Sequence, residues 1–135
     1  MKSILLVEDN PDDAELTVRA FRNSSLHQDI EVAPDGDAAL ASLFGAKALP
    51  SLVLLDLNLP GIDGFDVLRR IRAHKRTRNL PVVILTSSGE QTDLEHGYRL
   101  GANSYVRKPV SFRDFLSAAE HIGVYWLAVN EVPRH

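Results

Sequence analysis

The sequence contains no cysteine, so disulfides, thiolate nucleophiles and thiolate metal sites are excluded. No apolar run approaches the length of a membrane span. The opening MKSILLVED has only four apolar residues before two acids, which fits a strand and not a signal peptide. A glycine-rich phosphate loop is also missing, which counts against a nucleotide site. Positive charge is not in excess: 15 Lys/Arg against 18 Asp/Glu leave a net charge of −3, which weighs against nucleic acid as the main partner. These absences set the expectation of a soluble, cytoplasmic protein with no membrane or nucleic-acid partner.

What is present suits one globular domain of 135 residues, 44% hydrophobic and 24% charged. The informative stretch is SLVLLDLNLPGIDG, Ser51 to Gly64. Leu52 to Leu55 are uniformly apolar, too short a run for a helix and without alternation, as in a strand buried on both faces of a parallel sheet. The run ends in Asp56, a carboxylate that is costly to bury without a cation.

Other segments repeat the pattern. Ile4 to Val7 predict a first strand, followed by a helix with Asn10 as cap, Pro11 at its first position and Ala14, Val18 and Phe21 on its inner face; Asn23-Ser24-Ser25 ends it. Ile30 to Ala33 predict a second strand, and Ala39, Leu40, Leu43 and Phe44 a second helix. Gly64 opens a third helix carrying Val67, Leu68 and Ile71. Val82 to Leu85 form the fourth strand; Thr92 begins a fourth helix with Leu94 and Tyr98, closed by Gly101. Ser104 to Val106 form the fifth strand, and Ser111 caps a last helix with Phe112, Phe115, Leu116, Ala119 and Ile122. Five βα units imply a parallel sheet covered on both faces, with right-handed crossovers. The basic run from Arg69 to Arg78 reads as a solvated helix end.

The special polar residues fall at strand ends: Glu8 and Asp9 after the first strand, Asp56 after the third, Thr86 after the fourth, Lys108 after the fifth. Parallel strands bring those ends to one edge. Clustered carboxylates repel one another unless a cation is present, and their hard oxygens suit Mg2+. Asn58 can add its backbone carbonyl, Lys108 a positive charge and Thr86 a hydroxyl. A phosphoryl group on Asp56 would find metal, ammonium and hydroxyl around it, the equipment for phosphoryl transfer to an aspartate. Taken singly, each of these features also reads as a capped helix or a surface charge. The five histidines, His27, His74, His96, His121 and His135, occupy no strand end and read as surface or packing residues.

ILLVEDN, LLDLNLPGIDG, VVILTSSG and GANSYVRKP, in that order, resemble the signature segments of the response-regulator receiver domain across nearly the whole chain. The resemblance implies a doubly wound, flavodoxin-like (βα)5 α/β fold with strand order 2-1-3-4-5. It implies Asp56 as phosphoacceptor, Mg2+ held by Glu8, Asp9, Asp56 and the Asn58 carbonyl, and Thr86 and Lys108 on the phosphoryl oxygens. It also implies Tyr105 as the aromatic switch residue coupled to Thr86, and a cis bond between Lys108 and Pro109. The partner it implies is a histidine kinase, and the protein is then no enzyme beyond taking the phosphoryl group onto itself. YWLAVNE in the tail and VEDNPDDAELT resemble stand-alone regulators that partner phytochrome-type kinases.

Residues 1–135 read as one domain in which 123–135 extend the last helix. Val124 to Val129 are six successive apolar residues that no single helix face can hide. They predict a symmetric homodimer contact through the fifth helix and the tail, with Tyr125 and Trp126 in it, the alternative being a tail that folds back over its own sheet. Three rival readings remain: a haloacid-dehalogenase-like phosphatase, although Asn58 stands where that family has a second acid; a flavin-binding module; and a receiver that only scaffolds. A phosphorelay intermediate without its own effector is a further variant.

Overall fold

Uniformly apolar Val, Ile and Leu segments become strands because every side chain in them meets a helix layer on one face of the sheet or the other. The computed structural model describes residues 3–24, 29–45 and 48–133. Ser25, His27 and His135 from the expectations above lie outside them. The elements are β1 (Ser3–Val7), α1 (Pro11–Arg22), β2 (Asp29–Ala33), α2 (Gly36–Gly45), β3 (Leu52–Leu55), α3 (Gly64–Ala73), β4 (Val82–Thr86), α4 (Gln91–Arg99), β5 (Ser104–Arg107) and α5 (Phe112–Gly123). All pairings are parallel and the order is β2-β1-β3-β4-β5, with β3 at the centre. The expected doubly wound α/β fold is present.

Alternation along each strand divides the core in two. Leu5, Val7, Val53, Leu55, Val82 and Ile84 pack with α2 and α3, while Ile4, Leu6, Leu52, Leu54 and Val83 pack with α1 and α5. Asn10 caps α1 as expected, its Oδ1 accepting from the Asp12 and Asp13 amides at 2.9 and 3.0 Å. Ser111 caps α5 by accepting from the Asp114 amide.

Three local expectations change. Phe44 faces outward at the end of α2 and stacks on His74, with centroids 4.6 Å apart. Tyr98 is 47% exposed, and Gly97 is the buried residue of α4. A Cβ at Gly97 would stand 2.7 Å from Ile84 Cδ1, so the missing side chain is what lets α4 lie this close to the sheet. The basic run is more than a solvated helix end. Arg72 staples two loops, donating to the carbonyls of Leu80 (2.7 Å), Gly101 (2.9 Å) and Arg78 (3.2 Å), and to Asn103 Oδ1 (2.8 Å).

Beyond α5 the chain continues as a π-helical segment, Val124–Val129, closed by the Asn130 amide on the Tyr125 carbonyl at 2.6 Å. Its wider i→i+5 turn changes which residues face inward. Leu127 is 2% exposed in the core beneath α1 and α5, and Trp126 packs partly against the same cluster. Val124, Tyr125 and Val129 remain exposed. The tail therefore covers its own sheet with one side and presents apolar surface with the other. Leu127→Ala should cost about 2–4 kcal/mol in urea unfolding, while Tyr125→Ala should change stability by less than about 0.5 kcal/mol. Equal effects would contradict the packing described.

Candidate functional site

Strand register assembles the site. The Asp56 amide donates to the Val7 carbonyl at 3.1 Å and the Lys108 amide to the Thr86 carbonyl at 2.7 Å, so the residue just past β3 is tied to the end of β1 and the residue just past β5 to the end of β4. Gly64 lets the chain after β3 fold back closely: a Cβ there would meet the Asp56 carbonyl oxygen at 2.3 Å. Gly61, with φ of +71°, makes the preceding bend in a conformation that other residues rarely adopt.

Glu8, Asp9 and Asp56 each place a carboxylate oxygen within 4.8 Å of the others. Glu8 and Asp56 are buried and Asp9 is exposed. The Lys108 ammonium, on a side chain only 9% exposed, contacts Glu8 Oε1 at 2.5 Å, Asp13 Oδ2 at 3.0 Å and Asp56 Oδ2 at 3.2 Å. Backbone amides complete the set: Asn10 N–H donates to Glu8 Oε2 at 3.2 Å and Asn58 N–H to Asp56 Oδ1 at 3.4 Å. The expected Glu8, Asp9, Asp56 and Lys108 are thus brought together, with residue 58 alongside. Asp13 was not anticipated, because an acid in the first turn of a helix reads as a cap or dipole partner. Its tertiary contact leaves no mark in the spacing.

Burial pushes the Glu8 carboxyl up from 4.5 to about 7; Lys108 opposes the shift and the Asp56 charge adds to it. Burial pulls the Lys108 ammonium down, but Glu8, Asp13 and Asp56 outweigh it and hold the group above its usual value. The donor chemistry fits a hard divalent cation, since three carboxylates converge and one of them is open to solvent.

Thr86 is fully buried and its hydroxyl oxygen lies 3.5 Å from the Ser88 amide, which donates to it. The Tyr105 hydroxyl donates to the Ser88 carbonyl at 2.9 Å, and Ser88 Oγ donates to Asp93 Oδ2 at 2.6 Å. Thr86 and Tyr105 therefore meet on the same residue. The Lys108–Pro109 bond, expected cis, is trans, and no peptide among the described residues is cis. Trans is the lower state of an X–Pro bond by about 0.5–1 kcal/mol. None of the described histidines joins the carboxylate cluster; His96, for instance, stacks on Phe65.

The sequence model of the response regulator receiver domain matches residues 4–120. The chain belongs to this family. Among curated receiver relatives, the probable methanogenesis regulatory protein FilR2 of Methanothrix harundinacea is 46% identical over 96% of this chain and 86% of its own. The phosphorylated cyanobacterial phytochrome response regulator RcpA superposes with a TM-score of 0.91, at 34% identity, covering 98% of this chain and 99% of RcpA. The Mn(2+)-bound form of response regulator Rcp1, a protein of Synechocystis, gives a TM-score of 0.88 at 34% identity, covering 99% of this chain and all of that one. The chain is thus a response regulator whose relatives include stand-alone phytochrome regulators. No helix among the described residues is long and apolar enough to cross a membrane.

The raised Glu8 value has a consequence for stability. Between about pH 4.5 and 7 the folded receiver holds a proton at Glu8 that the unfolded chain has lost, so stability falls as pH rises through that window. Thermal melts of the metal-free protein should show this decline, and Glu8→Gln should lack its share of it. Identical slopes in the two proteins would refute the assignment.

Proposed function

We propose that Asp56 is the phosphoacceptor of this response regulator, and that it receives the phosphoryl group from a histidine kinase of the phytochrome type. The observation that carries the reading is the buried Asp56 carboxylate held 3.2 Å from the Lys108 ammonium at the edge where β1, β3 and β4 end. In the transfer, an Asp56 oxygen forms the new bond to phosphorus as the bond from phosphorus to the kinase histidine nitrogen breaks. The leaving imidazole keeps that electron pair. Lys108 sits where it can shift a donor from the Asp56 carboxylate to a phosphoryl oxygen, neutralising charge without bringing a new group into the site. The buried Thr86 hydroxyl supplies a second donor.

Glu8, Asp9 and Asp56, with the Asn58 carbonyl, would hold Mg2+. When bound, that ion would offset the repulsion between these carboxylates and an incoming phosphoryl dianion. Rcp1 in its Mn(2+)-bound form supports a divalent ion at such a site. Once phosphorylated, Thr86 would turn toward the phosphoryl oxygens and give up its share of Ser88, whose carbonyl also anchors Tyr105. Ser88 then couples the site to the surface of α4 and β5. The protein carries a signal in the cytoplasm and is no enzyme beyond its own phosphorylation. The region 1–135 acts as one receiver domain with 123–135 as its extension.

Asp56→Asn should abolish labelling by a phosphorylated kinase or by acetyl phosphate, since an amide is a poor nucleophile. Excess chelator should suppress labelling of the wild type. Label retained at the wild-type rate in the variant would overturn the assignment of Asp56.

The second part of the proposal is a homodimer through α5 and the tail. Tyr125, Val129 and Val132 are 49%, 60% and 48% exposed, and Tyr98 on α4 adds 47%. Tyr125 sits edge-on to Trp126 with ring centroids 4.9 Å apart, which gives the patch a rigid aromatic centre. A C2 contact would set the same patch of both chains against each other. Light scattering should give twice the chain mass for the wild type, and Tyr125→Ser with Val129→Ser should give the monomer. A wild-type monomer at high micromolar concentration would remove the dimer from the reading.

A further inference from the structure

Lys108 has three N–H donors, and three carboxylates take them. Two of the three, Glu8 and Asp56, belong to the carboxylate cluster that would hold a divalent cation. Asp13 does not. It stands in the first turn of α1, its backbone amide pinned by Asn10 Oδ1 at 3.0 Å and its carbonyl taken by the Thr17 hydroxyl at 2.7 Å. Its side chain is 39% exposed, so its charge costs little to keep, while its ammonium partner is 9% exposed.

This division sets up a competition. An ammonium and a divalent cation cannot both draw fully on Glu8 and Asp56, because they repel each other across the same oxygens. A lysine held only by those two carboxylates would occupy the oxygens that the cation needs. Asp13 pulls the ammonium from the α1 side, through an oxygen that the cation does not use. It also offsets the positive charge that the entering ion meets.

We infer that Asp13 is a positioning residue of the phosphorylation site: it shares the Lys108 ammonium with Glu8 and Asp56, keeps a partner for it when a cation draws on those two carboxylates, and so raises the receiver's affinity for its divalent cation. The inference rests on the reading of Glu8, Asp9 and Asp56 as the metal carboxylates and deepens it. Asp13 would touch neither the phosphoryl group nor the ion; it acts through the lysine.

The expected signature is a weaker cation, not a misfolded protein. Asp13→Asn keeps the shape of the side chain and removes its charge at a partly exposed position, where an ion pair is worth little to stability. Mn2+ or Mg2+ titrations followed by calorimetry should show affinity reduced about fivefold, the scale of a single partly exposed ion pair. Asp13→Glu should recover most of the loss.

The decisive comparison repeats the substitution in a Lys108→Met background. If Asp13 works through the lysine, Asp13→Asn should change metal affinity there by less than about twofold, the non-additivity expected of partners in contact. A full fivefold loss in that background would make Asp13 a plain long-range charge and overturn the inference. Wild-type affinity in Asp13→Asn alone would overturn it as well, leaving the metal site itself intact. Failure of the wild type to bind either ion at millimolar concentration would overturn the metal reading, and this inference with it.

Discussion

Two buried carboxylates, Glu8 and Asp56, share one buried ammonium, and much of the site is arranged around that sharing. Removing a charge from water costs several kcal/mol even after relaxation. Lys108 opposes the effect of burial on Glu8, and the carboxylates around Lys108 outweigh the effect of burial on its ammonium. The raised Glu8 carboxyl shows that the compensation is incomplete. A carboxylate cluster left short of positive charge is a receptor for a cation. Lys108 thus offsets part of the negative charge, and the residual excess suits a cation.

A second shared residue is Ser88. Thr86 and Tyr105 both bond to Ser88, one at its amide and one at its carbonyl. A change in the direction of the Thr86 hydroxyl is therefore felt by the loop that anchors Tyr105. The helix that follows is poorly fixed by packing, since Gly97 is its only buried residue and its N-cap, Glu90, makes no side-chain cap bond. Elements with little buried apolar surface are those that local free-energy changes can move. Under the proposed phosphorylation of Asp56, the signal would meet a nearby element that is cheap to displace.

The tail answers to a different constraint. Leu127 and Trp126 close the end of the core under α1 and α5, while Tyr125 and Val129 stay on the surface. Trp126 also lines a cleft with Arg72, Arg78, Pro81 and Asn103, at the edge where β4 and β5 begin. The extension is thus built into the end of the domain opposite the carboxylates. Apolar surface on one side of a segment whose other side is core is presented rigidly, which lowers the entropic cost of any contact made there.

The order of elements, the burial of β3, the caps at Asn10 and Ser111 and the gathering of Glu8, Asp9, Asp56 and Lys108 were legible in the sequence. Each depends on short-range patterning, or on the rule that parallel strands bring their carboxyl ends to one edge. Tertiary packing decided the rest. Asp13 and Lys108 are joined only because α1 starts beside the end of β5, and no spacing encodes a contact between residues 95 apart. Gly97 rather than Tyr98 faces the sheet because the close approach of α4 to Ile84 leaves no room for a Cβ. Arg72 became a staple because two loops turned their carbonyls toward it. The apolar tail could be divided between core and surface only once its π-helical turn had set which side chains face inward, since a run apolar all round carries no periodicity to say so.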